Sequence, residues 1–305
     1  MLTHEHPNKR YLPVLERAEP LIMDSTASKA LKKCPRYYFY RIVLGRVAKS
    51  ESNAVVLSFG KFYHKFRELL ETHGLKEALA CLDDYKPDVE NAAKFSYMTR
   101  QRLIESCLKA AEHALNEKAK GAIKVVAVEQ PFNVELPDGS FIGGRADQIV
   151  EWNGKLWGRD FKTTSKIQSF FARECDPSDQ AMRYIYGESK LHFGNDCIER
   201  GKYIQGIIFE AMYNEAKKGP EIYNVLSSRD LKQIREWEQD QILINQVLKM
   251  YRDTDTWPMH ETYDCRFCDY AKVCRTPSDL GKVQTLKADY HFSPWDHQKV
   301  TQDHD

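Results

Sequence analysis

Three side chains between residues 147 and 162 have the types and spacing to handle a phosphodiester: Asp147, Asp160 and Lys162. Strand side chains alternate faces, so Asp160 and Lys162, two apart, share a face while Phe161 points into the opposite layer. The turn signal Trp152-Asn153-Gly154 folds the strand holding Asp147 back beside the strand holding Asp160. Two adjacent carboxylates repel, and a divalent cation relieves that repulsion. A neighbouring ammonium can contact a scissile phosphate or an attacking water. An Asp-x-Lys pattern alone more often marks a solvated ion pair. Here the glycine pair Gly143-Gly144, which permits close backbone approach, and the expected strand geometry favour a site. Glu129, on the preceding strand, is a possible fourth acid or an exposed edge residue.

Other residues fit around that trio. His64 follows Gly60 by four on a helix rich in aromatics. By itself it reads as a packed or surface histidine, but beside the acids an imidazole suits Mn(II) as well as Mg(II). Gln180 and Tyr184, four apart, lie on one helix face. They could hydrogen-bond a phosphate or orient Lys162, or be incidental surface polar groups.

Eight cysteines fall at 34, 81, 107, 175, 197, 265, 268 and 274. The first thirty residues lack a charged-then-apolar export pattern, so a disulfide framework is not expected. Cys81, Cys107, Cys175 and Cys197 are scattered thiols in or beside helices. Cys265, Cys268 and Cys274 stand within ten residues, and metal ligation is the natural cause. Cys34, beside Pro35, is the candidate fourth ligand. Zinc or a 4Fe-4S cluster would satisfy four thiolates, and spacing does not choose. Between Lys29 and Arg41 lie five basic residues, no acid, and the aromatic run Tyr37 to Tyr40. Lys32, Lys33, Arg36 and Tyr37 therefore suit a single nucleic-acid strand, unless the aromatics pack against the metal module.

The elements that must position these groups follow from patterning. The chain has 305 residues, 42% hydrophobic content and 45 basic against 44 acidic residues, so nucleic-acid affinity needs local basic patches. No apolar run reaches the roughly 20 residues of a membrane span, and a soluble intracellular protein is expected. A polar segment over 1–24 contains His4 and His6. Asp24-Ser25-Thr26 starts a helix ending near Cys34. Helical periodicity runs from Ser58 to about Leu82 and from Asp88 to about Lys120. A meander of three strands, with Pro137-Asp138-Gly139 in one turn, runs from Ile123 to Lys162. Asp176-Pro177-Ser178-Asp179 supplies a cap, a first-turn proline and an acid for a helix carrying Gln180, Tyr184 and Leu191. Strands over Tyr203–Tyr213 and Glu221–Leu226 and a helix over Ser228–Tyr251 complete an α/β fold with a mixed sheet. The expected division is 1–24 polar, 25–120 helical and carrying Cys34 and His64, 121–257 the sheet-bearing core, 258–280 the cysteine module joined by Cys34, and 281–305 a loosely held tail.

Taken together, Gly60 and His64, Asp147, Asp160 with Lys162, Gln180 with Tyr184, and one early cysteine followed by three late ones resemble the PD-(D/E)xK nuclease superfamily. The resemblance lies closest to its RecB-like exonucleases with an iron-sulfur cluster, including the CRISPR-associated exonuclease and the AddB nuclease domain. It covers about Ser25 to Cys274 and departs at Ala146, where some members carry proline or a bulkier apolar residue. It implies a restriction-endonuclease-like mixed sheet flanked by helices, with a cluster module held by Cys34, Cys265, Cys268 and Cys274. It also implies a DNA exonuclease acting on single-stranded or frayed ends in recombination, repair or DNA processing. The implied metal ligands are His64, Asp147, Asp160 and the Phe161 carbonyl, around one or two Mg(II) or Mn(II) ions. The implied catalytic set is Asp147, Asp160, Lys162, Gln180 and Tyr184. The resemblance implies a cytoplasmic setting in a bacterium, an archaeon or a phage-infected host, with recombination or CRISPR proteins as partners. The competing readings are an endonuclease of the same fold and a non-catalytic DNA-binding adaptor.

Overall fold

The computed structural model describes residue 15 and residues 22–49, 54–86, 98–215 and 217–296. It divides into two compact units, one of residues 1–51, 135–143 and 238–305, the other of residues 52–134 and 144–237. The expected linear division is therefore corrected. The helical stretch 25–120 is split: its Cys34 end lies in the unit of the C-terminal cysteines, as Cys34 had suggested, while residues 54–120 belong with the sheet. The stretch 88–97 of the expected second helix, and most of the polar segment over 1–24 with His4 and His6, lie outside the described residues.

The sheet-bearing unit is built on β3 (Ile123–Glu135), β4 (Phe141–Trp152), β5 (Lys155–Thr164), β6 (Gly206–Glu215) and β7 (Lys218–Ser228). The order is β4-β5-β6-β7, with β3 also paired to β4. Pairing is antiparallel for β4 with β5, parallel for β5 with β6, and antiparallel for β6 with β7, so the sheet is mixed. Asn153 and Gly154, at φ 52° and 71°, make the tight β4–β5 turn in the left-handed region that such a turn requires. A parallel neighbour demands a crossover. The segment from β5 to β6 supplies it with α6 (Gln168–Cys175) and α7 (Asp179–Phe193).

Helices α3 (Ala54–Thr72), α4 (Leu75–Ala80) and α5 (Arg100–Lys120) precede the strands. The periodicity from Ser58 to Leu82 breaks at Gly74, whose φ of 91° a side-chain-bearing residue rarely adopts. Phe59, Tyr63 and Phe66 of α3 meet Leu103 and Cys107 of α5 over Phe161 and Met212 of the sheet. Ser178 caps α7, accepting from the Ala181 N–H. Pro177 precedes that cap instead of occupying the first turn, as the sequence pattern had suggested, because the Asp176 carboxylate expected to cap is taken by Arg229 at 2.5 Å and the Ser227 hydroxyl at 3.2 Å.

The second unit holds α1 (Ser25–Lys33), α2 (Pro35–Tyr38), a π-helical turn over Phe39–Val43, and β2 (Arg46–Ala48) paired antiparallel with β8 (Tyr290–Phe292). Asp24 caps α1 through the Ala27 N–H at 2.7 Å. β1 (Ile22–Met23) pairs in parallel with Phe141 and Ile142. Tyr38, Phe39 and Tyr40 are buried with Trp257 and Tyr270, ring on ring. Three of the four consecutive aromatics are therefore core, which removes them as base-stacking surfaces. The tail expectation is corrected as well. Residues 279–289 form a helix, with Val283 and Leu286 buried, because apolar side chains three apart give it a packing face. Among the described residues no helix is long and apolar enough to cross a membrane.

Candidate active site

The β4–β5 ladder runs from Trp152 opposite Lys155 to Gln148 opposite Arg159, and stops there. One step further would set Asp147 opposite Asp160. Directly opposed residues of an antiparallel pair share a face, so both carboxylates project from the open end of the ladder. The Phe161 N–H, freed from that ladder, instead donates to Asp147 Oδ2 at 2.5 Å. His64 Nδ1, from α3, lies 3.2 Å from the same oxygen. Lys162 Nζ lies 2.5 Å from Asp160 Oδ2, and Gln180 Nε2 donates to Asp160 Oδ1 at 3.0 Å and to the Tyr184 hydroxyl at 2.9 Å. Each predicted side chain of the site is therefore drawn to one place.

Gly144 is required there. A Cβ on it would come within 2.6 Å of the Phe132 ring and 3.1 Å of the Tyr184 ring. Gly60 is not under the same pressure, since its Cβ would meet only Thr163 Oγ1 at 3.5 Å, an ordinary contact.

The two acids are not electrostatically equivalent. Burial raises the Asp147 carboxyl, but His64, Lys162 and the Phe161 N–H outweigh it and hold the acid below its usual range. At Asp160 burial wins, with Asp147 adding to it against Lys162, and the carboxyl is pushed up. Burial disfavours the charged forms of His64 and Lys162, yet the facing carboxylates lift both. Environments that push paired acids apart are a mark of functional sites.

Glu129 enters the same centre. Ligand atoms of His64, Glu129 and Asp147 all lie within 4.8 Å of one another, a nitrogen and two oxygens that suit Mn(II) or Mg(II). Asp160 stands beside this trio, held by Lys162 and Gln180. Glu129 takes φ 49°, a left-handed backbone that costs a non-glycine residue about 1–3 kcal/mol. Its carboxylate pairs with Arg145 Nε at 2.7 Å. In sequence it carries no signal beyond an acid on a strand, because nothing in its neighbours announces the backbone turn that aims it.

A pH-dependent prediction follows. Burial, with Asp147 adding, pushes the Glu129 carboxyl up to about 7, against Arg145 and His64. Folding thus favours its protonated form. That contribution is complete below the ordinary value of 4.5 and is lost as pH rises through about 7. Glu129→Gln is therefore expected to make the metal-free protein more stable than the parent at pH 8, by about 1–3 kcal/mol, and to leave it unchanged at pH 4. Urea melts in EDTA at the two pH values measure this, and a difference independent of pH refutes it.

Behind the site lies a buried group that the motif reading did not find. Arg67 Nη1 meets Glu210 Oε1 at 2.5 Å, and Arg159 Nη2 bridges Glu210 and Glu117, the latter at 2.7 Å. His113 Nε2 lies 3.3 Å from Glu117 and 3.7 Å from Glu210. Burial raises Glu117, but His113 and Arg159 outweigh it and hold it at about 2. The Arg67 guanidinium stacks 3.9 Å from the Phe161 ring centroid, so the network grips the residue between Asp160 and Lys162. The usable signals were Arg67 one turn after His64, and Glu210 alone within the apolar run Ile207–Met212.

In the other unit, Cys34, Cys265, Cys268 and Cys274 line one cavity of about 290 Å³. The His260 N–H donates to Cys34 Sγ at 3.4 Å, and the Cys265 thiol to the His260 carbonyl at 3.4 Å. No three of the four sulfurs approach one another within 4.8 Å. Burial pushes the Cys268 and Cys274 thiols up, opposed by Lys33 and Arg36 respectively. Those two cations, read in sequence as strand contacts, are turned toward the cavity or the core. Lys33 lines the cavity and stacks on Tyr37, while Arg36 Nε donates to the Trp257 carbonyl. Tyr37 is half-buried, its hydroxyl donating to Asp269. Lys32 is exposed.

The family model of the PD-(D/E)XK nuclease superfamily matches residues 25–275. Among solved structures, the chain is similar to a protein from Eubacterium rectale titled "Putative exonuclease", at 13% identity and TM-score 0.50 over 86% of this chain and 92% of that one. It is also similar to SSO0001, at 15% identity and TM-score 0.29 over 83% and 97%. At such identities a likeness speaks to fold alone. No curated protein matches the chain in sequence. With the family match spanning the His64 helix, the ladder end and the cysteines, this chain belongs to the PD-(D/E)xK nuclease superfamily.

Proposed function

We propose that this nuclease is a divalent-metal-dependent deoxyribonuclease that digests DNA from single-stranded or frayed ends, in recombination, repair or DNA processing, and that its four cysteines hold a 4Fe-4S cluster. The observation that carries the cleavage reading is the ladder end, where Asp147 and Asp160 emerge side by side with His64 and Lys162. His64, Glu129 and Asp147 would hold the cation, with Asp160 and the Phe161 carbonyl completing the set. Bound there, a divalent ion would lower the pKa of water and offset charge building on the phosphorus. Lys162 orients the attacking water and meets the phosphate oxygen, its ammonium kept charged by Asp160. Gln180 fixes the Asp160 carboxylate, and Tyr184 fixes Gln180.

Linear and circular single strands of one sequence test the end requirement. Release of mononucleotides or short fragments from the linear strand alone supports digestion from ends. Equal cleavage of the circle supports the endonuclease reading.

For the cluster, the observation is the size of the cysteine cavity. A single zinc ion bound tetrahedrally sets its sulfurs about 3.8 Å apart. The four thiols line one cavity of about 290 Å³, which leaves room for a larger iron-sulfur core. Protons leave the buried thiols on loading, and Lys33 and Arg36 offset the charge that results. The cluster is structural in this reading, tying Cys34 to residues more than two hundred positions later. Anaerobically purified protein is expected to be brown with broad visible absorption, and Cys274→Ala colourless and less stable by several kcal/mol. A colourless parent carrying stoichiometric zinc refutes the cluster.

A further inference from the structure

The segment that follows the catalytic strand carries an apolar and cationic face that nothing in the site has used. Ile167 and Phe170, three apart at the start of α6, are 53% and 59% exposed. Single exposed apolar residues are ordinary, but this pair is neighbouring, includes a large ring and is held rigidly from beneath. Phe171 is buried against the Tyr223 ring, the Tyr223 hydroxyl donates to the Lys166 carbonyl at 2.6 Å, and Gln168 Nε2 donates to the Asn224 carbonyl at 3.3 Å. The Lys166 N–H, in turn, is fixed to Thr164 Oγ1 at 3.0 Å.

The segment is also tied to the chemistry at both ends. It starts three residues after Lys162, and Cys175, which closes α6, is buried where Asp160 and Lys162 both act on its thiol. From Phe161 to Arg173 there are three cations and no acid. Lys162 is paired with Asp160 and Lys166 with Glu174. Arg173 has no carboxylate partner among the described residues and lies with its guanidinium 5.6 Å from the Phe170 ring centroid.

We infer that Phe170, backed by Ile167 and Arg173, is the platform on which an unpaired base of the DNA strand stacks beside the scissile phosphate. The inference rests on the nuclease reading and deepens it by naming how a single strand is chosen. An exposed ring offers a face to any base, and the Arg173 guanidinium already lying over the ring meets the strand's phosphate; a paired base within a duplex cannot reach the ring without unstacking.

The test is binding of a fluorescein-labelled oligothymidine in EDTA, where no cleavage occurs, alongside steady-state cleavage of the same strand in Mn(II). Phe170→Ala is expected to weaken binding and raise KM about tenfold with kcat nearly unchanged, Phe170→Trp to restore both, and blunt duplex binding to stay the same. Parent-like affinity and KM in Phe170→Ala overturn the inference and leave the nuclease reading intact. Equal losses on single strand and duplex, or a lowered melting temperature with no rescue by tryptophan, overturn it as a merely structural effect. A parent that binds no strand overturns both. A parent that binds through Phe170 but cleaves nothing keeps the platform and removes the nuclease.

Discussion

Lys162→Ala is expected to slow phosphodiester cleavage about a thousandfold while affinity for a single strand in EDTA stays within a few-fold of the parent. The reason lies in where the ammonium sits. Its nitrogen is 2.5 Å from Asp160, and the side chain is 32% exposed, so it faces both the acids and the approach of a substrate. Alanine removes the charge that meets the phosphate and also leaves Asp160, already pushed up by burial, without its main opposing cation. Asp160 then tends toward its neutral form, so cation affinity is expected to fall as well. Single-turnover rates across a Mn(II) titration separate the two losses, because only the second is recovered at saturating metal. Cleavage by the alanine variant within tenfold of the parent at every metal concentration would falsify the assigned role.

Glu210→Ala is expected to cost about 3–5 kcal/mol of folding stability. Glu210 is wholly buried and accepts from Arg67 and Arg159, themselves almost wholly buried, so its removal strands the Arg67 guanidinium away from water and leaves Arg159 with Glu117 alone. The variant is also expected to lose activity beyond what its stability explains, since Arg67 stacks on Phe161 between the two site residues of β5. A double variant, Arg67→Met with Glu210→Met, is expected to recover part of the stability by replacing a buried pair with apolar volume, but not the activity. Urea midpoints report the first effect and specific activity at a temperature where every variant is folded reports the second. A loss under 1 kcal/mol in Glu210→Ala would show that water reaches the network.

Much of the site was legible because its members obey local rules. Asp160 and Lys162 share a face through the strand period, Asn153-Gly154 forces the hairpin that returns Asp147, and Gln180 reaches Tyr184 through the helical period. Each of these facts involves residues close in the chain or a repeat of two or about four. Glu129 was only half legible, because its participation depends on a left-handed backbone in β3 that no neighbouring residue type demands. The aromatic run Tyr37 to Tyr40 was left open between base stacking and packing, since exposed and buried rings look alike in sequence and only Trp257 and Tyr270 decide between them.

By itself the sequence determined the main strands and helices around the site, their shared faces and most of the ligands, since these follow from periodicity, turn chemistry and side-chain type. Only the tertiary structure decided that the β4–β5 ladder ends one pair short of the two aspartates. It alone brought Arg67, Glu117, Arg159 and Glu210 together behind Phe161. The physical reason is that both depend on contacts between residues distant in the chain, where close packing and the cost of leaving a buried charge unpaired select one arrangement among many that the local rules allow.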